Sequence, residues 1–143
     1  DKLVSQIDFM GTIASSLGYK LPDDAAEDSH NILPLLHGRK KTPRTAHVHN
    51  TRAEAWAIRV GEWNLIAGKS GYHSGRRKPW EEKRNYPADD DGQVELYHFA
   101  KDISQRNNLA KKFPKKVEEL KKELQVARER GFTAPRLVVS NKK

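Results

Sequence analysis

A chain of 143 residues, with 27 Lys and Arg against 19 Asp and Glu, has room for one domain, or for a small domain plus a piece of another. The mean hydropathy of −0.88 is polar, yet three Trp, four Tyr and four Phe exclude wholesale disorder. The lack of Cys excludes disulfides, thiolate zinc sites and a cysteine nucleophile within these residues.

Asp1 to Ile7 has neither a basic start nor an apolar run, so no signal peptide is expected in this stretch. No run approaches the ~20 apolar residues that cross a bilayer. The chain is therefore expected to be soluble, with no membrane partner. The net charge of +8 suits an anionic partner such as nucleic acid or a sulfated polymer, and equally a solvated surface.

Residues 3–17 read as a helix. Leu3, Val4, Ile7, Met10, Ile13, Ala14 and Leu17 recur at three- and four-residue spacing as one apolar stripe. Gly18 stands where a left-handed C-cap is wanted. In residues 28–38, Asp28 or Ser29 is expected to cap one helical turn carrying Ile32, Leu35 and Leu36, shortened by Pro34 and closed by Gly38. Residues 39–44 are basic and broken by Pro43, and read as a linker or loop.

From Thr45 the period changes to two. Residues 46–51 read as a strand. In residues 54–60, Trp56, Ile58 and Val60 share one face, and Ala55, Ala57 and Arg59 the other. Gly61-Glu62 fits a two-residue type II′ hairpin leading to a strand over 63–67. Residues 70–92 are rich in Gly, Pro, Arg and Asp and read as a long exposed loop. Strand character returns over 94–99. Pro114 opens a helix with Val117, Leu120, Leu124 and Ala127 as its buried stripe, closed by Gly131, and the residues beyond it are expected to be loosely held. The order is that of an α+β fold: a small antiparallel sheet of about four strands, packed by a C-terminal helix and preceded by another helix.

Chemistry-bearing residues are sparse. His47 and His49, two apart on a strand, share a face that suits substrate contact better than a metal, because two ligands are too few. The lysine pairs at 111–112, 115–116 and 121–122 interleave with Glu118, Glu119 and Glu123, the pattern of a solvated, ion-paired helix rather than a nucleic-acid interface. Gly68 to Gly75 lacks the strand-to-helix setting of a phosphate loop, which leaves Lys69, Arg76 and Arg77 as weak anion contacts. Asp89-Asp90-Asp91-Gly92 lacks the Glu of a calcium loop. No Ser lies in a nucleophile elbow. No catalytic residue and no metal ligand is assigned.

Several segments, in order, resemble the formylglycine-dependent sulfatases of the alkaline-phosphatase superfamily. Val4-Ser5-Gln6-Ile7-Asp8-Phe9-Met10-Gly11-Thr12, followed by Gly18, is similar to the family's "S-x-x-D-hydrophobic-x-P-T … G", with Gly11 in place of Pro. Asp28 to Gly38 resembles "D-[GS]-x-[SN]-[LI]-L-P-L-L-x-G". Ala57 to Ile66 resembles "A-I-R-x-G-x-W-K-L-I", with Asn64 in place of Lys. Glu95 to Phe99, with Asp102 and Asn108-Leu109-Ala110, resembles "E-L-Y-D-L-x-x-D-P-x-E-x-x-N-L-A", with Ile103 in place of Pro. The helix after Pro114 resembles the closing "P-x-x-V-x-x-L-x-x-x-L".

The resemblance implies that residues 1–43 end an α/β catalytic domain and that residues 44–143 form the family's C-terminal sheet domain. It implies a parent enzyme that hydrolyses sulfate esters with a formylglycine from a C/S-x-P-x-R signature and with a calcium ion, in the periplasm or outside the cell. That signature is absent from these residues, so the segment alone is expected to be inactive. Its partners would be the N-terminal catalytic domain, docked on the apolar stripe of residues 3–17, and a sulfated sugar or aryl substrate. By the family pattern His49 and Asn50 fall on a strand that borders the pocket, with His47 a lesser candidate. A stand-alone basic module binding nucleic acid or sulfated glycan is the alternative.

Overall fold

The computed structural model describes residues 2–22, 24–52, 55–68, 79–84 and 94–134. Elements follow in the order α1 (Asp8–Ser16), α2 (Leu33–Leu36), β1 (Ala46–Arg52), β2 (Ala55–Val60), β3 (Trp63–Ala67), α3 (Pro79–Lys83), β4 (Glu95–His98) and α4 (Pro114–Arg130). The four strands form one sheet in the order β1-β2-β3-β4, and the α+β expectation holds. The chain divides into two units, Asp1–His47 with Arg130–Lys143, and Val48–Glu129.

In the second unit the hairpin falls where the sequence places it. Val60 pairs with Trp63 across Gly61-Glu62. Gly61 has φ +56 and Glu62 does not share the positive sign, the pattern of a type II′ turn. The register aligns Ile58 with Leu65, and Leu65 with Leu96, so one apolar row crosses three strands. These side chains are 1%, 0% and 0% exposed. Alternation puts Trp56 and Trp63 on the same face. Arg128 of α4 lies 4.7 Å from the Trp56 ring centroid, and Phe113, just before α4, meets Trp63 edge-on at 5.4 Å. Helix α4 therefore packs on this face, with Val117, Leu120 and Leu124 buried as expected and Ala127 half-buried.

On the opposite face Asn64, Glu95 and Tyr97 are buried and hydrogen-bonded. The Tyr97 hydroxyl donates to Glu95 Oε2 at 2.7 Å, and Asn64 Nδ2 donates to Gln105 Oε1 at 3.0 Å. The edge of β4 is closed by the segment after it. Asn108 Oδ1 accepts from the N–H groups of Leu96 and Ala110, Asn108 Nδ2 donates to the Val94 carbonyl, and Leu109 N–H donates to the Leu96 carbonyl. An open strand edge is an aggregation template, and these bonds remove it. Asn108→Ala is expected to cost about 1 kcal/mol in urea unfolding, because the part-buried Leu96 N–H loses its acceptor and the exposed bonds to Val94 and Ala110 go with it. An unchanged midpoint would show that water replaces the side chain.

One expectation changes in this unit. The stretch 70–92 contains a short helix, α3, with Glu81 buried, which its Gly and Pro neighbours conceal. Residues 69–78 and 85–93, which include Lys69, Arg76, Arg77 and residues 89–92, lie outside the described residues, as do residues 135–143.

In the first unit α1 starts at Asp8, not at residue 3. Residues 2–5 are irregular, and Asp8 N–H donates to the Ser5 carbonyl in a preceding turn. The far end matches a Schellman motif: Tyr19 N–H donates to the Ala14 carbonyl, Gly18 N–H to that of Ser15, and Gly18 has φ +67. Neither Asp28 nor Ser29 caps α2. Its cap residue is Ile32, and Asn31 Oδ1 accepts from Leu33 N–H at 2.9 Å.

Candidate functional site

The most elaborate polar arrangement is in the first unit. Asp8 and Arg44 are 0% and 1% exposed and form a two-pronged ion pair. Arg44 Nε donates to Asp8 Oδ2 at 3.0 Å and Arg44 Nη2 to Asp8 Oδ1. The carboxylate also accepts from the N–H groups of Ser5 at 2.8 Å and His30 at 3.0 Å. Arg44 continues to the carbonyls of Asp28 and Ala46. A buried charge is tolerated only when its partners are all present, and here they are. Burial alone would raise the Asp8 carboxyl. The bond to Arg44 and the two N–H donors outweigh it and hold the carboxyl below its usual range. Residues 39–44 form neither helix nor strand, as the loop reading expects, and within them Arg44 is a buried anchor.

Thr12 continues the arrangement. Its hydroxyl donates to the Asp8 carbonyl at 2.6 Å and accepts from Ile32 N–H at 3.0 Å. Gly11 N–H donates to Ser29 Oγ at 2.8 Å, and Asn31 Nδ2 donates to Ser15 Oγ at 2.8 Å. A Cβ on Gly11 would stand 2.8 Å from Ser29 Oγ, so glycine fits this contact. Asp28 Oδ1 accepts from the backbone and hydroxyl of Thr133, which pins the turn after α4. His30 is buried. Its imidazole is held below the usual range, first by burial and then by the Arg44 charge.

The segments that carried the family resemblance therefore do structural work in this molecule. Asp8, Gly11 and Thr12 clasp the 28–33 segment, Ser5 N–H steadies the Asp8 carboxylate, and Asn108 closes a sheet edge. Sequence reading missed Arg44, although the Ser5-x-x-Asp8 spacing is the reach-back half of a capping box and signals a carboxylate tied to backbone.

His47, His49 and Asn50 all lie on β1. His47 is half-buried, and His49 and Asn50 are exposed. All three take part in contacts within the chain. Partial shielding of the His49 ring lowers its tendency to protonate, which leaves an imidazole suited to neutral hydrogen bonding. Among the described residues no group of three or more His, Asp or Glu is placed to hold a metal ion. In the lysine-rich α4, Lys116 pairs with Glu119 and Lys121 with Glu118, as the interleaved charges predict. No described helix is long and apolar enough to cross a membrane.

A four-stranded antiparallel sheet covered by a terminal helix is the architecture that the sulfatase resemblance implies. No family model matches the chain. It is 32% identical over 128 residues to an N-acetylgalactosamine-6-O-sulfatase of Bacteroides thetaiotaomicron, a match that covers 90% of this chain and 24% of that protein. A solved structure described with the metabolism of multiple glycosaminoglycans by Bacteroides thetaiotaomicron superposes with TM-score 0.67 at 30% identity, covering 90% of this chain and 26% of that one. A structure in complex with its substrate D-glucosamine-2-N,6-O-disulfate shares the fold, with TM-score 0.56 at 21% identity over 85% of this chain and 23% of that one. The chain is homologous to a sulfatase. It spans about a quarter of the length of the curated relative it matches, and it fits the C-terminal portion of such a protein.

Proposed function

We propose that this chain is the C-terminal part of an enzyme that hydrolyses sulfate esters, and that it supports the enzyme's architecture and borders its substrate pocket rather than performing the chemistry. One observation carries the reading: the identity to a sulfatase extends over 90% of this chain while covering only 24% of that protein. The relative's name makes a 6-O-sulfated N-acetylgalactosamine the first substrate to try. The nucleophile, a formylglycine, and the ligands of a calcium ion would belong to the remaining polypeptide, a reading supported by the lack of a C/S-x-P-x-R signature in this sequence. The periplasm or the cell exterior is the compartment proposed with it. The coding sequence upstream of Asp1 tests the reading. A C/S-x-P-x-R motif there is the expected result, and an upstream frame without it contradicts the proposal.

His49 and Asn50 are the residues proposed to face the substrate. In the full enzyme, His49→Ala is expected to raise KM for the sulfated sugar about tenfold with little change in kcat, the signature of a lost binding contact worth about 1.4 kcal/mol. Unchanged KM and kcat would remove His49 from the pocket border.

A further inference from the structure

The longest stretch of this sequence without Asp or Glu runs over residues 29–53, and Arg39, Lys40 and Lys41 stand consecutively inside it. All three are exposed, and among the described residues no hydrogen bond or ion pair engages their side chains. Helix α4 differs, because its lysines interleave with Glu and Lys116 and Lys121 are paired. The next cation along, Arg44, is taken up by Asp8. The backbone beneath the three charges is fixed on both sides. Before them, His37 N–H donates to the Leu33 carbonyl, Arg39 N–H donates to that of Pro34, and Gly38 has φ +89. After them, the Thr42 hydroxyl donates to the Leu3 carbonyl at 2.7 Å and Arg44 holds Asp8. Like charges side by side repel one another, and here the held backbone keeps them together.

We infer that residues 39–41 are a binding site for the sulfate groups of a sulfated polysaccharide chain. The inference rests on the reading of the chain as part of a sulfatase, which makes a sulfated sugar the expected anion. Consecutive cations suit a polymer that repeats its charge, because the attraction is long-ranged and tolerant of register. Arg39 brings a planar fork of donors that matches two oxygens of one sulfate, and the two lysines bring point charges. The anchored ends leave little backbone to order on binding. Nucleic acid fits this turn less well. A duplex is read by a helix or a β-ribbon in a groove, and a single strand by aromatic rings that stack on its bases. Residues 39–43 are irregular and contain no aromatic side chain.

The test measures binding of the polypeptide encoded by the complete gene to immobilised chondroitin 6-sulfate, a polymer bearing 6-O-sulfated N-acetylgalactosamine, over a range of salt. Arg39→Ser, Lys40→Ser and Lys41→Ser combined are expected to weaken binding about tenfold and to flatten its salt dependence. The unfolding midpoint is expected to stay unchanged, because the three side chains have no bond to lose. Lys111→Ser, Lys115→Ser and Lys122→Ser combined remove the same charge around α4 and are expected to change binding by no more than about twofold at physiological salt. Equal losses in the two variants would overturn the inference, since net charge alone would then account for binding. Undiminished binding by the first variant, in an enzyme that releases sulfate, would overturn it and leave the sulfatase reading standing. A larger loss on double-stranded DNA than on the polysaccharide would overturn it in favour of nucleic acid. A full polypeptide that lacks the formylglycine signature and releases no sulfate would overturn both.

Discussion

Arg44→Met is expected to lower the unfolding free energy by about 3–5 kcal/mol, the cost of leaving a buried carboxylate without its counter-charge. Asp8 is fully buried and its carboxylate spans Arg44, Ser5 N–H and His30 N–H. With the guanidinium removed, the two N–H donors remain, but burial then dominates and favours the protonated acid. The carbonyls of Asp28 and Ala46 lose their donor as well. Urea unfolding of the two proteins at neutral pH measures the difference. A change under about 1 kcal/mol would show that water reaches the site and that the pair is surface-like.

The pair also sets a pH dependence. The folded Asp8 carboxyl lies below its unfolded value, so its contribution is complete above about pH 4 and is lost as pH falls through the folded value. The folded His30 imidazole is also lowered, so its contribution is complete above about pH 6.5 and is lost on acidification below that. The gap between Arg44→Met and the parent chain is therefore expected to narrow as pH falls from the raised carboxyl of the variant, and to close below the lowered folded value of the parent, where Asp8 is protonated in both.

Leu65→Ala is expected to cost about 2–5 kcal/mol through lost burial and the cavity left behind. Leu65 is 0% exposed at the centre of the row Ile58–Leu65–Leu96, on the face that α4 covers. Its neighbours lie on different strands and cannot collapse into the space without breaking register. The same change at Val126, 59% exposed on the outer side of α4, is expected to stay within about 0.5 kcal/mol. Equal effects at the two sites would contradict the packing of α4 on this face.

Local signals explain what was legible in the sequence. The Gly61-Glu62 hairpin, the opening of α4 at Pro114 and its Val117–Leu120–Leu124 stripe follow from turn chemistry and periodicity within a few residues. The Asp8–Arg44 pair joins residues 36 apart, and Arg44 stands beside Pro43 and a lysine run, so it read as linker. Helix α3 was hidden by the Gly and Pro content around it. Periodicity showed that Met10, Ile13 and Leu17 share a face, but not that this face points outward, because direction depends on what the polar side meets. His49 and Asn50 were reached through resemblance, since a strand His carries no sign of its role in its spacing.

The most direct test of the whole account is sulfate release. The 143-residue chain and the polypeptide encoded by the complete gene are each given a 6-O-sulfated N-acetylgalactosamine, with calcium and with a chelator. Release by the full polypeptide that depends on calcium, and none by the 143-residue chain, is the predicted result. Turnover by the 143-residue chain alone would contradict the assignment of the chemistry to the remaining polypeptide.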